Sequence, residues 1–391
     1  MRIAQVAPVF ESVPPRYYGG TERVVSYLTE ELVAQGHEVT LFATGDSRTR
    51  ARLVSVYPES LRLAERPAEA GAVMALTLEA VMREVEQFDV IHAHLDYQHL
   101  PLFVRAPVPV LTTLHGRLDL PHWPLITRTF RDAPLASISL AQRRPIPDAN
   151  WIGNVYHGLP FGSYHHHPQH GSYLLFLGRI SREKRVDRAI EIARRSGMQL
   201  KVAAKVADAD REYYDRVASL LDDPIVDFVG EVAEDAKDDL IGNAYALLAP
   251  IEWPEPFGLV IVEAMACGTP VIAYRHGSVP ELVDHGVTGF VVDDLPAAVH
   301  AVERVAELDR DACRTAWEAR FTARRMACDY MELYGQLTDA RGRARAPRFE
   351  ASLNPILTPP RPLARRAPAG QLAPSAPMAD NRDLEQPTPT V

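Results

Sequence analysis

Two series of alternating strand and helix patterns constrain this chain to an α/β fold with two parallel sheets. In the first series, an apolar strand at 3–7 precedes an amphipathic helix at 21–35 and a second strand at 39–43. Gly36 follows that helix, at a position where a left-handed residue commonly ends one. A strand, a helix and a second strand in this order form a βαβ unit, whose two strands pair in parallel.

The alternation continues along the chain and is interrupted once. The first series further contains a helix at 72–87 and strands at 89–93, 108–114 and 136–139. Around 155–171, glycine, proline and a run of histidines replace the periodic pattern, which indicates a linker. The second series contains strands at 173–177, 200–204, 226–229, 246–250 and 270–274, and helices at 182–195, 212–221 and 257–266. The sequence therefore predicts two doubly wound domains that face each other across a cleft, with ligands at the carboxyl ends of the strands.

These patterns also predict the domain organisation. We expect an N-terminal Rossmann-like domain at 1–156, a linker at 157–171, a C-terminal Rossmann-like domain at 172–300 and bracing helices at 301–341. From residue 342 onwards, proline, alanine and arginine dominate, and such a composition predicts a disordered tail at 342–391. The arginines of this tail would allow peripheral contact with an anionic membrane.

Charge and cysteine content narrow the class of protein. The formal net charge is −9, which argues against a nucleic-acid partner for the chain as a whole. Cys267, Cys313 and Cys328 form no CxxC pair and no disulfide framework, as expected in a reducing compartment. The N-terminal apolar run is too short for a signal peptide, and no run approaches the roughly 18 apolar residues of a membrane span. We therefore expect a soluble, cytoplasmic protein.

The motif from Glu255 to Glu263 carries the most chemical information. Glu255 precedes a Pro-Phe-Gly turn, and Glu263 lies within an apolar helix, where an ionised carboxylate is costly unless something pairs with it. A helix that opens at Phe257 and Gly258 offers free N–H groups and a positive dipole end, which suit a phosphate. The alternative is a polar loop residue followed by a buried glutamate that a structural arginine satisfies. The two carboxylates framing one turn favour a site for a sugar, its diphosphate and its ribose.

A pair of cations opens the second domain. Arg179 follows the strand at 173–177, and Lys184 is predicted at the third position of a helix capped by Ser181. Cations are disfavoured at a helix N-terminus unless an anion balances them, so the two side chains predict a diphosphate site. Alternatively, the two cations belong to a basic first turn of a helix that is exposed to solvent. The nearby Asp208-Ala-Asp210 has the form of an acidic metal–diphosphate motif, and we interpret it as chance.

Glycines in the N-terminal half point to close approach of a ligand. Gly19 and Gly20 lie in the first strand–helix loop, where their backbone would come near a ligand, although a turn and a helix cap would also explain them. The loop is not a G-x-G-x-x-G fingerprint, and no acidic residue ends the second strand at Ala43, which counts against NAD.

Histidines supply further candidates. His115 follows the strand at 108–114 and would hydrogen-bond a sugar hydroxyl, or else be structural. His92, His94 and Asp96 end another strand and would line the acceptor side or bind a metal. The histidines at 165–167 fall in the linker, where we expect exposure to solvent rather than a site.

Together, these motifs resemble the retaining glycosyltransferases of family 4, with the GT-B fold, over roughly residues 1–335. The matching segments are Gly19-Gly20-Thr-Glu22, Thr113-Leu-His115-Gly, Gly178-Arg179 with Lys184, the Glu255–Glu263 motif, Gly277-Ser-Val-Pro-Glu281 and Gly286-Val-Thr-Gly-Phe290. The compact N-terminal half resembles the branch that glycosylates small molecules, including antibiotics and pterins.

The resemblance implies roles for particular residues. The implied catalytic residues are Arg179, Lys184, Glu255 and His115, and the implied donor-binding residues are Gly20, Phe257, Gly258, Leu259 and Glu263. Arg179 and Lys184 would neutralise the diphosphate. Glu255 and His115 would contact the donor sugar from opposite domains, and Glu263 would bind the ribose. Gly20 would let the first loop approach the phosphates, backbone N–H groups at 257–259 would contact sugar and phosphate, and 229–232 would line the base pocket.

The reaction implied by the resemblance is transfer of a hexose from a UDP-sugar, with UDP-glucose favoured, to a hydroxyl acceptor with retention of configuration. It implies no metal and no cofactor, since the nucleotide sugar is the co-substrate. The acceptor, a small molecule or a glycan, would meet the loops at 16–20, 95–100 and 116–123. Two alternatives stay open at this point: a nucleotide-sugar 2-epimerase of the same fold, and a non-catalytic nucleotide-sugar-binding or scaffold protein.

Overall fold

The first domain is built on a seven-stranded parallel sheet. The structure, a computed structural model, describes residues 1–17 and 19–344 of the 391. The strands are β1 (Arg2–Val6), β2 (Glu38–Phe42), β3 (Arg52–Val54), β4 (Val90–Ala93), β5 (Val110–Thr113), β6 (Leu135–Ser137) and β7 (Trp151–Asn154), and the helices are α1 (Gly20–Ala34), α2 (Ala70–Arg83), α3 (Leu100–Phe103) and α4 (Trp123–Thr129). Their order across the sheet is β3-β2-β1-β4-β5-β6-β7.

The second domain is built on a six-stranded parallel sheet. Its strands are β8 (Tyr173–Arg179), β9 (Leu200–Lys205), β10 (Val226–Gly230), β11 (Ala244–Ala249), β12 (Val271–Tyr274) and β13 (Gly289–Val292), in the order β10-β9-β8-β11-β12-β13. The helices are α5 (Val186–Ser196), α6 (Arg211–Leu221), α7 (Glu234–Gly242), α8 (Leu259–Ala266), α9 (Val279–Leu282), α10 (Leu295–Arg304), α11 (Arg310–Arg320) and α12 (Ala323–Ala344). The two parallel sheets confirm the predicted fold class.

Each sheet contains a point at which the strand order reverses. In the first sheet this point lies between β1 and β4, and in the second it lies between β8 and β11. The crossover helices on either side leave a crevice at the carboxyl ends of these strands, where ligands of such sheets bind. Gly19 and Gly20 follow β1, and Arg179 ends β8, so the topology directs both segments to such a crevice.

The long C-terminal helix α12 packs on the first sheet rather than on the second. Its buried side chains include Met326, Tyr330 and Tyr334, which share one core cluster with residues of the first domain such as Ile3 and Leu28. The chain therefore returns to the N-terminal domain after completing the second sheet. This placement lets α12 contribute side chains to the floor of the first domain, beneath the carboxyl ends of β1, β4 and β5.

Several boundaries differ from the sequence predictions for physical reasons. The helix predicted at 182–195 begins only at Val186, because Arg185 adopts a left-handed conformation with φ of 56°. The helix predicted at 257–266 begins at Leu259, because Gly258 has φ of 92° and precedes the first turn. Strands β3, β7 and β13 have only three or four residues each, too few for a recognisable period, and they were missed.

The C-terminal boundary also differs. Helix α12 continues to Ala344, past the predicted start of the tail at residue 342. The remainder of the predicted disordered tail, 345–391, lies outside the described residues. Among the helices that the structure describes, none is both long and apolar enough to cross a membrane.

Candidate active site

A cleft of about 410 Å³ brings together all nine residues predicted as catalytic or donor-binding. Gly20 and His115 line it from the first domain. The second domain contributes Arg179, Lys184, Glu255, Phe257, Gly258, Leu259 and Glu263. Residues separated by more than 200 positions in sequence therefore meet at the carboxyl ends of both sheets. Their chemical roles are not tested by this convergence and stay predictions.

Two helix N-termini meet at the cleft. Helices α1 and α8 both begin at its lining, and neither has a side chain that caps its first turn. A methyl group placed on Gly20 would lie 3.8 Å from Leu259 Cδ1, so the two turns nearly touch across the cleft. Uncapped N–H groups and the positive dipole ends make this region suited to an anion.

Lys184 and Glu255 form an ion pair inside the cleft. The Lys184 ammonium donates to Glu255 Oε2, and the indole N–H of Trp253 donates to the same oxygen at 2.7 Å. The Lys184 nitrogen also lies 5.6 Å from the centre of the Trp253 ring. The sequence prediction that Lys184 occupies the first turn of a helix is wrong, because α5 begins two residues later. A carboxylate and an indole, not a helix dipole, therefore set the position of this cation.

Arg179 is held by two carboxylates. Its guanidinium pairs with Glu183, and its Nε lies 3.0 Å from Asp210 Oδ2. Burial raises the pKa of Glu183, but its own backbone N–H and Arg179 outweigh this effect and hold the pKa below its ordinary value. Asp210, from the Asp208-Ala-Asp210 pattern, therefore contacts a predicted catalytic residue as an ion-pair partner. No spacing in the sequence indicated this contact, which crosses from β8 to the turn before α6.

Glu263 is a buried carboxylate with incomplete pairing. Its side chain is only 2% exposed, and its Oε1 lies 3.5 Å from the Lys237 ammonium. Its Oε2 is buried and has no hydrogen-bond partner among the described residues. The alternative of a structural arginine is thus not what the structure shows. A buried acceptor oxygen without a donor is costly, and a hydroxyl pair of a ligand in the cleft would satisfy it.

Glu234 connects the two domains beside Glu263. From helix α7 its carboxylate forms ion pairs with the guanidinium of Arg23 on α1 and with the ammonium of Lys237, both at 2.9 Å. It also accepts a hydrogen bond from the hydroxyl of Tyr164 at 2.9 Å. Burial raises the pKa of Glu234, but Lys237 and Arg23 outweigh this effect and lower it overall. This cluster closes one side of the cleft, and the sequence analysis did not identify it.

His115 reaches the cleft from β5 in a neutral state. Its Nε2 lies 2.8 Å from Nδ1 of His94, and its ring stacks on that of His157 with 5.2 Å between ring centres. Burial lowers the pKa of His115 to about 3. Its Nδ1 has no hydrogen-bond partner among the described residues. His115 therefore enters the site as an uncharged imidazole held on one nitrogen only.

The turn at Gly277 supports the loop that carries Glu255. Ser278 N donates to the Glu255 carbonyl at 2.9 Å, and the Ser278 hydroxyl donates to the Phe257 carbonyl at 2.5 Å. Gly277 has φ of 55°, and a Cβ at this position would lie 2.3 Å from both Glu255 N and Glu255 O. Only glycine fits here, because the two backbones are in direct contact.

We predict that Gly277→Ala lowers the turnover of the folded enzyme by about tenfold or more, in addition to any loss of stability. The substitution displaces the Glu255 backbone, and small misplacements at a reacting centre strongly reduce the rate. Gly286→Ala is the matched control. Gly286 has φ of 79°, so alanine is strained there as well, but no atom lies within 4 Å of the added Cβ. Thermal unfolding and steady-state rates of both variants would separate strain from displacement, and equal activity in the two would contradict the prediction.

The linker histidines are less exposed than expected. His165 is open to solvent, whereas the side chains of His166 and His167 are 26% and 22% exposed. His167, Asp238 and Asp239 each offer a ligand atom within 4.8 Å of the others, and they are the metal-compatible group found among the described residues. None of these three residues lines the cleft. His92 and His94, considered above as metal ligands, instead hydrogen-bond protein groups.

Two Rossmann-like domains that face each other across a cleft define the GT-B class of proteins. Comparison with family profiles agrees with this assignment: residues 18–190 match "Glycosyltransferase Family 4", and residues 165–320 match "Glycosyl transferases group 1". The chain belongs to glycosyltransferase family 4, as its motifs predicted.

Individual relatives place the chain within this family without fixing its substrates. It is 33% identical over 130 residues to a D-inositol 3-phosphate glycosyltransferase of Mycolicibacterium smegmatis, an alignment covering 32% of this chain and 30% of the relative. The match thus spans about a third of the curated relative. Among solved structures, AviGT4, described as a glycosyltransferase involved in avilamycin A biosynthesis, is 25% identical with a TM-score of 0.66, over 87% of this chain and 98% of AviGT4. Anabaena HepE, solved with UDP and glucose, has a TM-score of 0.66 at 18% identity, over 86% of this chain and all of HepE, and it shows the fold alone.

Proposed function

We propose that this protein transfers a hexose from a UDP-sugar, with UDP-glucose favoured, to a hydroxyl of an acceptor with retention of configuration. The observation that carries the proposal is the buried, half-paired carboxylate of Glu263 in the same cleft as Arg179, Lys184 and the start of α8. That cleft offers a carboxylate that can accept hydrogen bonds from hydroxyl groups, together with two cations and free N–H groups. A ribose requires the first of these, and a diphosphate requires the others.

The cations would act on the departing diphosphate. As the anomeric C–O bond breaks, positive charge develops on the sugar and negative charge on the phosphate oxygen. Fixed positive groups aimed at the developing negative charge lower the barrier, and electrostatic stabilisation of this kind is commonly the largest contribution to a rate enhancement. Arg179, Lys184 and the N–H groups at the start of α8 supply such groups on one side of the cleft. We therefore propose that no metal is required.

The carboxylates favour substitution on one face of the sugar over a covalent intermediate. Glu183 is engaged by Arg179, and Glu255 is engaged by both Lys184 and Trp253. A carboxylate that already accepts from a cation is a weaker nucleophile. Glu255 is better placed to hold sugar hydroxyls, and the acceptor oxygen would then enter from the side on which the diphosphate leaves.

Support for the donor and the acceptor comes from related structures and sequences. A GT-B structure of the same fold, HepE, was solved with UDP and glucose, which favours UDP-glucose as the first donor to test. The likeness to AviGT4 over nearly its full length supports an acceptor of small-molecule type. The relative named as a D-inositol 3-phosphate glycosyltransferase makes that compound a reasonable acceptor probe.

The proposal is tested by measuring release of nucleoside diphosphate from UDP-, GDP-, ADP- and dTDP-sugars, with and without EDTA and with D-inositol 3-phosphate as one acceptor. We expect slow donor hydrolysis from one UDP-sugar, faster release with a suitable acceptor, and no effect of EDTA. Conversion of the donor to an epimer without an acceptor would instead establish the 2-epimerase. Neither binding nor turnover of any donor would establish a non-catalytic member of the fold.

We predict that Glu263→Gln raises KM for the UDP-sugar by about tenfold to a hundredfold with a smaller change in kcat, since a charged hydrogen bond contributes about 1.5–3 kcal/mol and the ribose is remote from the reacting bond. Pairing the variant with the 2′-deoxyribose form of the donor sharpens the test. If Glu263 binds the ribose, removing the 2′-hydroxyl of the donor should raise KM far more for the wild type than for the variant. Equal losses in both would show that Glu263 contacts something else.

A further inference from the structure

A buried polar network lies directly beneath His115. Along β1, β4 and β5, the apolar residues Ile3, Val90 and Leu111 face α12, and all three belong to the core cluster that contains Tyr330 and Tyr334. Side chains two positions further along a strand share a face. The next residues on this face are Gln5, His92 and Thr113, followed by His94 and His115 after β4 and β5. Polar groups thus replace apolar ones where these strands approach the cleft.

The side-chain amide of Gln5 lies at the branch point of this network. Its Oε1 lies 2.8 Å from Nε2 of His94, and its Nε2 lies 3.1 Å from the Tyr334 hydroxyl. From His94 one arm continues to His115 Nε2 at 2.8 Å. Gln5 and Tyr334 are fully buried and His94 is nearly so, so water has little access to compete for these bonds.

The amide fixes the direction of every hydrogen bond in the first arm. Gln5 Oε1 can only accept, so His94 Nε2 must carry a proton. Burial holds the pKa of His94 well below its ordinary value, so the ring is neutral and its Nδ1 is bare. That bare nitrogen accepts from Nε2 of His115, which must therefore be protonated. Because His115 is also neutral, its Nδ1 carries a lone pair and no proton.

The second arm is consistent with the same amide orientation. Gln5 Nε2 donates to the Tyr334 hydroxyl, which then donates to His92 Nδ1 at 2.7 Å. His92 is neutral for the same reason as His94, so its Nε2 carries the proton and donates to Thr113 Oγ1 at 2.7 Å. Thr113 in turn exchanges a hydrogen bond with Tyr330 at 3.0 Å. Rotating the amide by half a turn would reverse both arms, so one side chain selects between two proton arrangements.

We propose that Gln5 is a positioning residue that sets the tautomer of His115, so that its Nδ1, a buried nitrogen with no hydrogen-bond partner among the described residues, is bare and accepts from a hydroxyl of the donor sugar. The tautomer follows from the orientation of the Gln5 amide in this network, and its use on a sugar rests on the proposed function. A bare nitrogen selects a group that can donate, and it gains nothing from a group that can only accept. The contacted position of the sugar must therefore carry a hydroxyl.

The tautomer is tested by the ¹⁵N signals of His115 in the ligand-free, full-length protein at pH 7, assigned with a His115→Asn variant. The test variants are Gln5→Leu, which removes the acceptor for His94, and Gln5→Glu, which retains an acceptor oxygen in either protonation state. Tyr330→Phe is the control, because it removes a hydroxyl from the far end of the second arm on the same buried helix. Affinities for UDP-glucose and its 3-, 4- and 6-fluoro analogues are measured with each protein.

We expect an unprotonated Nδ1 in the wild type, in Gln5→Glu and in Tyr330→Phe, and a mixture of tautomers in Gln5→Leu. One fluoro analogue should bind wild type about tenfold more weakly than UDP-glucose, the usual effect of losing one hydrogen bond, and this difference should shrink in Gln5→Leu. A protonated Nδ1 in the wild type overturns the proposal, and so does a tautomer unchanged by Gln5→Leu. If the tautomer is as expected but no UDP-sugar binds, the proposed donor is wrong and the tautomer assignment stands.

Discussion

Replacing Glu255 by glutamine should reduce hexose transfer by about 10²- to 10³-fold while leaving the fold intact, the range seen when one preorganised electrostatic group of an active site is removed. Glu255 is only 8% exposed, and its carboxylate binds the Lys184 ammonium and the Trp253 indole at once. Glutamine has nearly the same shape but carries no charge, so it retains packing and loses the attraction that orders Lys184.

The loss should appear mainly in kcat. If Lys184 neutralises the departing diphosphate and Glu255 holds the sugar, both contribute more in the transition state than in the bound donor. A fall in kcat with little change in KM is the signature of an interaction made only in the transition state. Steady-state kinetics with UDP-glucose, at matched fractions of folded protein, provide the measurement.

A neighbouring glutamate supplies the control. Glu252 also pairs with basic side chains, those of Arg185 and Arg188, but its side chain is 44% exposed and does not line the cleft. Glu252→Gln should therefore keep near wild-type turnover. Lys184→Met completes the design. If the two residues act as a unit, Lys184→Met should lower turnover less in the Glu255→Gln background than in the wild type. Equal turnover in Glu255→Gln and Glu252→Gln would remove Glu255 from the chemistry.

The sequence predicted the fold and the membership of the cleft because both depend on local signals. The two βαβ series set parallel sheets, and parallel sheets place every carboxyl end on one edge. Gly20 and Glu255 each follow a strand and Arg179 ends one, so their convergence needed no knowledge of side-chain packing. The same rule placed His115 at the correct edge.

What the sequence did not reveal depends on contacts between distant elements. The left-handed Arg185 shortened α5, because it breaks a helical pattern that composition alone favours. The pairing of Arg179 with Asp210, and that of Arg23 with Glu234, join residues from different loops or domains, and no period links them. Period-2 alternation would have indicated that His92 and His94 share a face with one another, but not that tyrosines of α12 cover that face.

Buried histidines should make the protein sensitive to mild acid. Burial lowers the pKa of five of them well below the ordinary value near 6.5: His92, His94, His99, His115 and His157. Each stays neutral in the folded protein and takes up a proton in the unfolded chain once the pH falls below about 6.5. The unfolded state then binds more protons, so the free energy of unfolding decreases as the pH falls.

Carboxyl groups whose pKa is raised by burial work in the opposite direction; they are Glu22, Asp96 and Asp210. Burial raises the pKa of Glu22 to about 7, so between about pH 7 and its ordinary value of 4.5 the folded protein binds the extra proton. This gain offsets the loss from one histidine. The four remaining buried histidines make the free energy of unfolding fall by about 5 kcal/mol for each pH unit of acidification well below pH 6. Since small domains are stable by only about 5–15 kcal/mol, cooperative unfolding is expected between about pH 6 and pH 5.

Thermal unfolding from pH 8 to pH 5 tests this expectation, which is a near-constant melting temperature above pH 7 and a steep fall below pH 6.5. His99→Gln should flatten the slope by about 1.4 kcal/mol per pH unit, because it removes one titrating group. The exposed His300, with 68% of its side chain in solvent, is the matched control, and His300→Gln should leave the slope unchanged. A melting temperature that stays constant down to pH 5 would mean that the buried histidines accept protons within the folded protein, and the neutral tautomers assigned to His94 and His115 would then hold only at higher pH.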